Sequence, residues 1–490
     1  LTLALQDVAR RAGHERPLLI ALDQENGTVR RVKRGTTLFP GAMALGAAGS
    51  TELAREVAFA SGRELRALGV NLNLAPVADV NNNPQNPVIG VRSFGEDTVA
   101  VARLIEVTVR GYRDAGMLTS LKHFPGHGDT ATDSHLDLPV VAHSLDRLEQ
   151  VELAPFQAGL QAGADSVMIA HLYLPALMGS VSGPSTTSAA VVDGLLRERW
   201  GYSGAVVSDC MEMRAVSESV GTEQGVLRAL QAGIDLVIVS HTYERQLGSL
   251  EAVRSALESG ILGPNRISGA LRRVQALKSA LAWEDLPRGE VPEWVGGPEH
   301  QQLAARAYGA AVTLVRDDGG LLPLRLDNED QLLVVYPSRE SLTSAEEDLQ
   351  FPRGFALESV LHRHPGAVGC PVSPSPSGSE AEVVLGRAAE APAVLVITLN
   401  ASLIPEQARL VRALVGLGRP VVGIAARNPY DLTAFPELGA YLCTYEYDPP
   451  ALDAAAQVVF GESPPRGHLP VTLPGLYPRG HGLSAEDLPS

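Results

Sequence analysis

Leu118-Thr119-Ser120-Leu121-Lys122-His123-Phe124 is a strand-length run that breaks at Pro125 into Gly126-His127-Gly128-Asp129-Thr130-Ala131-Thr132-Asp133-Ser134-His135. A mostly apolar stretch of this length, closed by Pro and Gly, predicts a buried parallel strand followed by a polar loop. The same unit recurs on either side of it. Pro17–Asp23, Val70–Val80, Asp165–Leu172, Ala205–Asp209 and Ile234–Ser240 are further predicted strands. The 3.6-residue periodicity predicts helices at about Ser50–Leu68, Thr98–Ala115, Leu145–Ala162, Ser188–Trp200, Glu223–Ala232, Tyr243–Ser259 and Pro264–Leu281. Alternation of this kind implies a parallel sheet covered by helices.

The polar residues decide which sheet. Nearly every run ends on one: Asp23, Asp79, His123, His171, Asp209, and Ser240 with His241. In a (β/α)₈ TIM-like barrel all strands deliver their carboxyl ends to one rim, which carries the chemistry. An open doubly wound sheet would gather such residues at one switch point. The pattern therefore predicts a barrel over 1–282, its first strand missing from the given chain. Trp283–Gly297, rich in Pro, Gly and acid, reads as a linker. A second βα pattern over 298–490 (Gln331–Tyr336, Ala393–Leu399, Pro420–Ala425, Ala440–Thr444) predicts a three-layer αβα sandwich, with Cys370–Ser379 as a loop.

Composition narrows the partners. The 490 residues are 45% apolar and 20% charged, with a formal charge of −16. An acidic chain lacks the basic face that phosphate backbones need, which argues against nucleic acid. No apolar run approaches the roughly 20 residues of a membrane span. The three cysteines, Cys210, Cys370 and Cys443, show no metal-finger spacing and no disulfide framework. The expectation is a monomer without cofactor or membrane partner. Leu1 stands where a start Met would, inside an amphipathic helix, so a preceding export signal is not readable; the cytoplasm is favoured over secretion.

Asp209 follows Ala205-Val206-Val207-Ser208 at a predicted strand end. There a carboxylate can attack an anomeric carbon, although an Asp in this position also reads as a helix N-cap. The second cluster, residues 122–135, holds three histidines and two aspartates within fourteen residues. A zinc site is conceivable from those side chains, but no helical pairing such as HExxH supports it, so no metal is expected. Asp133 and His135, one residue apart in an extended loop, can face the same way. A carboxylate beside a histidine sets its tautomer and raises its basicity, making an acid/base unit for neutral pH. Glu25 is the rival proton carrier. Asp23 suits vicinal sugar hydroxyls, and the loop Asn86–Gly95 could project Arg92 into a pocket.

DQENG (23–27), NPVIGVRSFGED (86–97), KHFPGHGDTATDSH (122–135), MIAHLYLP (168–175) and VVSDCMEM (206–213), in this order, resemble the bacterial β-N-acetylglucosaminidases of glycoside hydrolase family 3. LLPL, RNPYDL and FGESPPRGHLPVTLPG resemble the second domain of its two-domain members. The resemblance implies Asp209 as nucleophile, His135 as general acid/base oriented by Asp133, and Asp23, Arg92, Lys122, His123 and His171 as sugar-binding groups. It also implies retaining, exo-acting removal of terminal β-linked N-acetylglucosamine from muropeptides or chitooligosaccharides, in the context of peptidoglycan recycling. Thr28 stands where many members carry arginine, and Cys210 where many carry Asp or Ala. Alternatives are a phosphorylase of the same family, a catalytically silent carbohydrate-binding protein, and a metal hydrolase. Lys122 and His123 are expected to be fixed sugar contacts, with Asp133 and His135 on a mobile loop facing a rigid Asp209.

Overall fold

The structure is a computed structural model, and it describes all residues except 33, 131–137, 181, 339–353 and 488–490. The chain divides into two compact units. The first comprises Leu1–Glu25, Ala54–Ile89 and Thr98–Val295; the second comprises Asn26–Leu53, Gly90–Asp97 and Gly296–Ser490.

In the first unit β1 (Ala21–Leu22), β2 (Leu72–Asn73), β3 (Leu118–Phe124), β4 (Ser166–Ile169), β5 (Ala205–Cys210) and β6 (Leu236–Ile238) form one parallel sheet in the order β1-β2-β3-β4-β5-β6. Strand order equals chain order and never reverses, so among the described residues there is no switch point. This is the barrel-type winding that the polar strand ends predicted. All seven residues of β3 are buried. Leu72, Leu74, Leu118, Met168, Ala205, Leu277 and Leu281 pack into an apolar cluster of this unit.

Some predicted elements are shorter or split. The run 70–80 registers as strand only at Leu72–Asn73. Pro76 has no N–H to give a ladder, and pairing resumes as an isolated bridge between Val77 and Lys122. The helix predicted over 145–162 is two, Leu145–Gln150 and Ala154–Gln161, with Pro155 in the first turn of the second. Proline fits there because a first-turn N–H has no helical partner.

In the second unit β7 (Thr313–Asp317), β8 (Leu332–Pro337), β9 (Ala367–Val372), β10 (Ala393–Thr398), β11 (Val421–Ala425) and β12 (Ala440–Cys443) form a mixed sheet, order β7-β12-β11-β10-β8-β9. Only β7 runs antiparallel to its neighbour. The chain steps outward from β8 to β9, then returns across β8 to β10, β11 and β12. Right-handed crossovers therefore place the helix Phe355–Leu361 on one face and Gly378–Glu390 with Pro405–Gly416 on the other. That is the predicted three-layer sandwich. The loop expected from Cys370 onward is a correction: Cys370-Pro371-Val372 finish β9. Pro371 is tolerated because β9 is an edge strand, whose outer side needs no donor.

Asn26–Leu53 carries a buried cation within this unit. Arg30, 1% exposed, donates from Nη2 to Asp448 Oδ2 at 2.6 Å and Glu446 Oε2 at 3.1 Å. The Tyr308 hydroxyl donates to Glu446 Oε2 at 2.7 Å, and the Gly41 amide donates to Oε1. Burial, together with Asp448, pushes the Glu446 carboxyl up to about 8 against the pull of Arg30. Among the described residues no helix is long and apolar enough to cross a membrane.

Candidate active site

The carboxyl ends of β1, β3, β4 and β5 bring together most of the side chains that the sequence marked. Asp209 lies next to last in β5. Its Oδ1 accepts a 2.7 Å hydrogen bond from the Cys210 amide. Burial alone would raise its pKa, but His171, His123, that amide and Lys122 outweigh it and hold the carboxyl below the usual range. A carboxylate kept ionised in a desolvated setting is equipped to act as a nucleophile and is a poor acid.

His171, just past β4, is fully buried. Its Nδ1 lies 2.8 Å from Thr186 Oγ1 and its Nε2 donates to the Cys210 carbonyl at 2.9 Å. With Nε2–H given to the carbonyl, Nδ1 can pair with the Thr186 hydroxyl in either direction, since a hydroxyl both donates and accepts. His171 thus braces the backbone beside Asp209 and supplies positive charge to it.

Lys122, 2% exposed, points from β3 between two carboxylates. Its Nζ is 2.6 Å from Asp23 Oδ1 and 2.7 Å from Glu25 Oε1. Gln24 between them is held through its own N–H and C=O by the Asn73 side chain, which orients both acids. Glu25, the rival proton carrier, is therefore engaged by a lysine, and a carboxylate beside a cation favours its ionised form.

His123 is held by Asp79, a residue whose strand-end position was visible but whose partner was not. Asp79 is 0% exposed. Its Oδ2 lies 2.7 Å from His123 Nδ1, and its Oδ1 accepts from the His127 amide at 2.7 Å. Burial raises the Asp79 carboxyl, yet His123 and His127 outweigh it and the net shift is down. With Nδ1 committed to Asp79, His123 keeps Nε2 for other contacts.

The glycines of the loop permit close packing. A Cβ on Gly128 would lie 1.8 Å from the Val80 carbonyl oxygen, and Gly126, at φ +121°, would drive one to 2.7 Å from Glu152 Cβ. Asn86 clamps the loop from Nδ2 to the carbonyls of His127 and Gly128, both at 2.9 Å. Asp133 and His135 lie outside the described residues. Arg92 is buried in the short turn Gly90–Arg92, which belongs to the second unit. Cys210 Sγ is 3.1 Å from Ser240 Oγ. Among the described residues the group with ligand atoms close enough for a metal is Asp129, His143 and Glu152; it excludes His123, His127 and His171.

The profile described as Glycosyl hydrolase family 3 N terminal domain matches residues 1–277. The chain is 32% identical over 519 residues to beta-hexosaminidase A of Pseudoalteromonas piscicida, covering 96% of this chain and 86% of that one. A solved family 3 β-N-acetylglucosaminidase from Paenibacillus sp. str. FPU-7 superposes with a TM-score of 0.91 at 39% identity, covering 96% and 89%. A fungal multi-domain family 3 β-N-acetylglucosaminidase also superposes at 0.91 with 42% identity; the chain, 98% covered, spans 56% of its length.

Proposed function

The chain belongs to glycoside hydrolase family 3 and is a glycosidase, and on that footing we propose that it removes terminal β-linked N-acetylglucosamine with retention of configuration, using Asp209 as nucleophile. The observation that carries this reading is the position of Asp209 at the carboxyl end of β5, with His171, His123 and Lys122 close enough to lower its carboxyl. Asp209 attacks C1 while the C1–O bond to the leaving group breaks, forming a covalent glycosyl ester. His135, oriented by Asp133, gives its proton to the departing oxygen. In the second step His135 takes a proton from water, the water oxygen bonds to C1, and the ester bond breaks to regenerate the Asp209 carboxylate. Asp23, Lys122 and His123 are assigned to the hydroxyls and acetamido group of the terminal sugar, and His171 to holding Asp209. Muropeptides and short chitooligosaccharides are the proposed substrates.

The test is a trapped intermediate. In a His135→Ala variant given an activated aryl N-acetylglucosaminide, the leaving group needs little acid help, while water lacks its base. Intact and peptide mass spectrometry should then find one N-acetylglucosaminyl unit on the peptide containing Asp209. An adduct on another carboxylate, or a product of inverted configuration, would overturn the assignment.

A further inference from the structure

We propose that Asp129, His143 and Glu152 form a site for one zinc-class divalent cation, set where the chain enters and leaves the segment that carries Asp133 and His135. One ligand-type atom from each of the three lies within 4.8 Å of the other two. His143 Nε2 is already 2.5 Å from Asp129 Oδ2. These two residues flank residues 131–137 in the chain, and Glu152 approaches from the following segment.

Glu152 is the independent observation. It is 1% exposed. Its Oε1 accepts from Asn82 Nδ2 at 3.1 Å and from Arg147 Nη2 at 3.2 Å. Its Oε2 is buried and has no hydrogen-bond partner among the described residues. A buried carboxylate oxygen without a donor is costly, and native structures seldom leave one without a reason. A cation held by Asp129, His143 and Glu152 could take that oxygen as its third protein ligand. The charge fits as well, since two carboxylates with one Arg147 leave an uncompensated negative charge.

The donor set selects the ion. Magnesium and calcium take oxygen ligands, whereas an imidazole with two carboxylates suits zinc and its neighbours. Tetrahedral zinc with bonds of about 2.0–2.2 Å separates its ligand atoms by roughly 3.3 Å. From 2.5 Å, the Asp129–His143 contact would open by about 1 Å on binding. Three protein ligands leave one position for water. The role is structural: bound there, the ion would link both ends of the 131–137 segment to the helix-bearing stretch after it.

The probe is zinc chloride alone, titrated into the full chain after chelator treatment and followed by equilibrium dialysis and calorimetry. The expected result is one zinc per chain, not displaced by millimolar magnesium, with affinity at least about tenfold weaker in His143→Gln and in Asp129→Asn. His143 and Asp129 are partly exposed, so these variants should keep wild-type circular dichroism. Equal zinc affinity in wild type and both folded variants, or no stoichiometric binding to wild type, would overturn the site. Cobalt(II) loading of the wild type gives a second arm. A tetrahedral nitrogen–oxygen spectrum supports the site, and a thiolate charge-transfer band, which only a cysteine can supply, refutes it. No glycoside enters these measurements, so their failure is distinct from failure of the glycosidase reading.

Discussion

Replacing Asp79 by Asn keeps the shape of a side chain that is 0% exposed and removes its charge. In the wild type Oδ1 accepts from the His127 amide and Oδ2 faces His123 Nδ1, each at 2.7 Å. An asparagine can keep the first contact with its oxygen, which turns its NH₂ towards Nδ1. His123 must then present a lone pair at Nδ1 and carry its proton on Nε2, the opposite of the wild-type arrangement. One charge-assisted hydrogen bond is lost, and Nε2, the nitrogen we assign to the sugar, changes from its wild-type role. Such a bond is worth about 1.5–3 kcal/mol, so kcat/KM on an aryl N-acetylglucosaminide should fall about 10- to 150-fold. The thermal midpoint must be followed alongside, to separate misfolding from mispositioning. If Asp79 acts through His123, then Asp79→Asn should cost little more once His123 is already Asn, and the double-mutant cycle should show strong coupling. A folded Asp79→Asn enzyme within about threefold of wild type, or fully additive effects, would refute the reasoning.

Lys122→Met leaves Asp23 and Glu25 facing each other without their cation. It should cost about 3 kcal/mol in urea unfolding, because a broken buried pair strands its charges, and should abolish measurable turnover. In the second unit Arg30→Met should destabilise by about 3–5 kcal/mol, whereas Glu446→Gln should cost about 1 kcal/mol because the neutral form is already favoured. The pH dependence follows the same group. Glu446 is pushed up to about 8 in the folded chain and ionises in the usual glutamate range when unfolded. The folded state binds the extra proton between those values, so this group makes stability fall as pH rises from about 4.5 to about 8. Chemical denaturation across that window should show a flatter slope in Glu446→Gln. Asp209 is held below the usual range by positive charge, with His171 the foremost source. His171→Asn should therefore move the acidic limb of the kcat/KM profile to higher pH, and an unmoved limb would count against that coupling. With phosphate present, the sugar should be released as free N-acetylglucosamine; accumulation of a sugar 1-phosphate would favour a phosphorylase.

Much of the candidate site could be nominated from the sequence because barrel winding puts every strand's carboxyl end on one rim, so a polar residue closing an apolar run is informative by itself. Asp23, Asp79, His123, His171 and Asp209 stood out on that ground before any contact was known, while Lys122 was marked by the family resemblance. Strand ends did not reveal partners. Asp79 meets His123 across 44 residues and His171 meets the Cys210 carbonyl across 39, and periodicity over a dozen residues cannot register such pairings. The Cys370–Val372 strand was missed for a related reason. Proline and glycine signal turns locally, while an edge position that excuses a proline is a property of the whole sheet.

From the amino-acid order alone came the α/β class, the barrel-type winding, the second sandwich and the residue types of the site, since hydrophobic period and turn chemistry act over short spans. Tertiary structure decided what those residues do to one another. It gave Lys122 two carboxylates and Asp209 its surrounding positive charge. It also placed Asn26–Leu53 and Gly90–Asp97, Arg92 among them, with the second unit. Burial and Coulomb interaction depend on distance in space, and only the folded chain sets that distance.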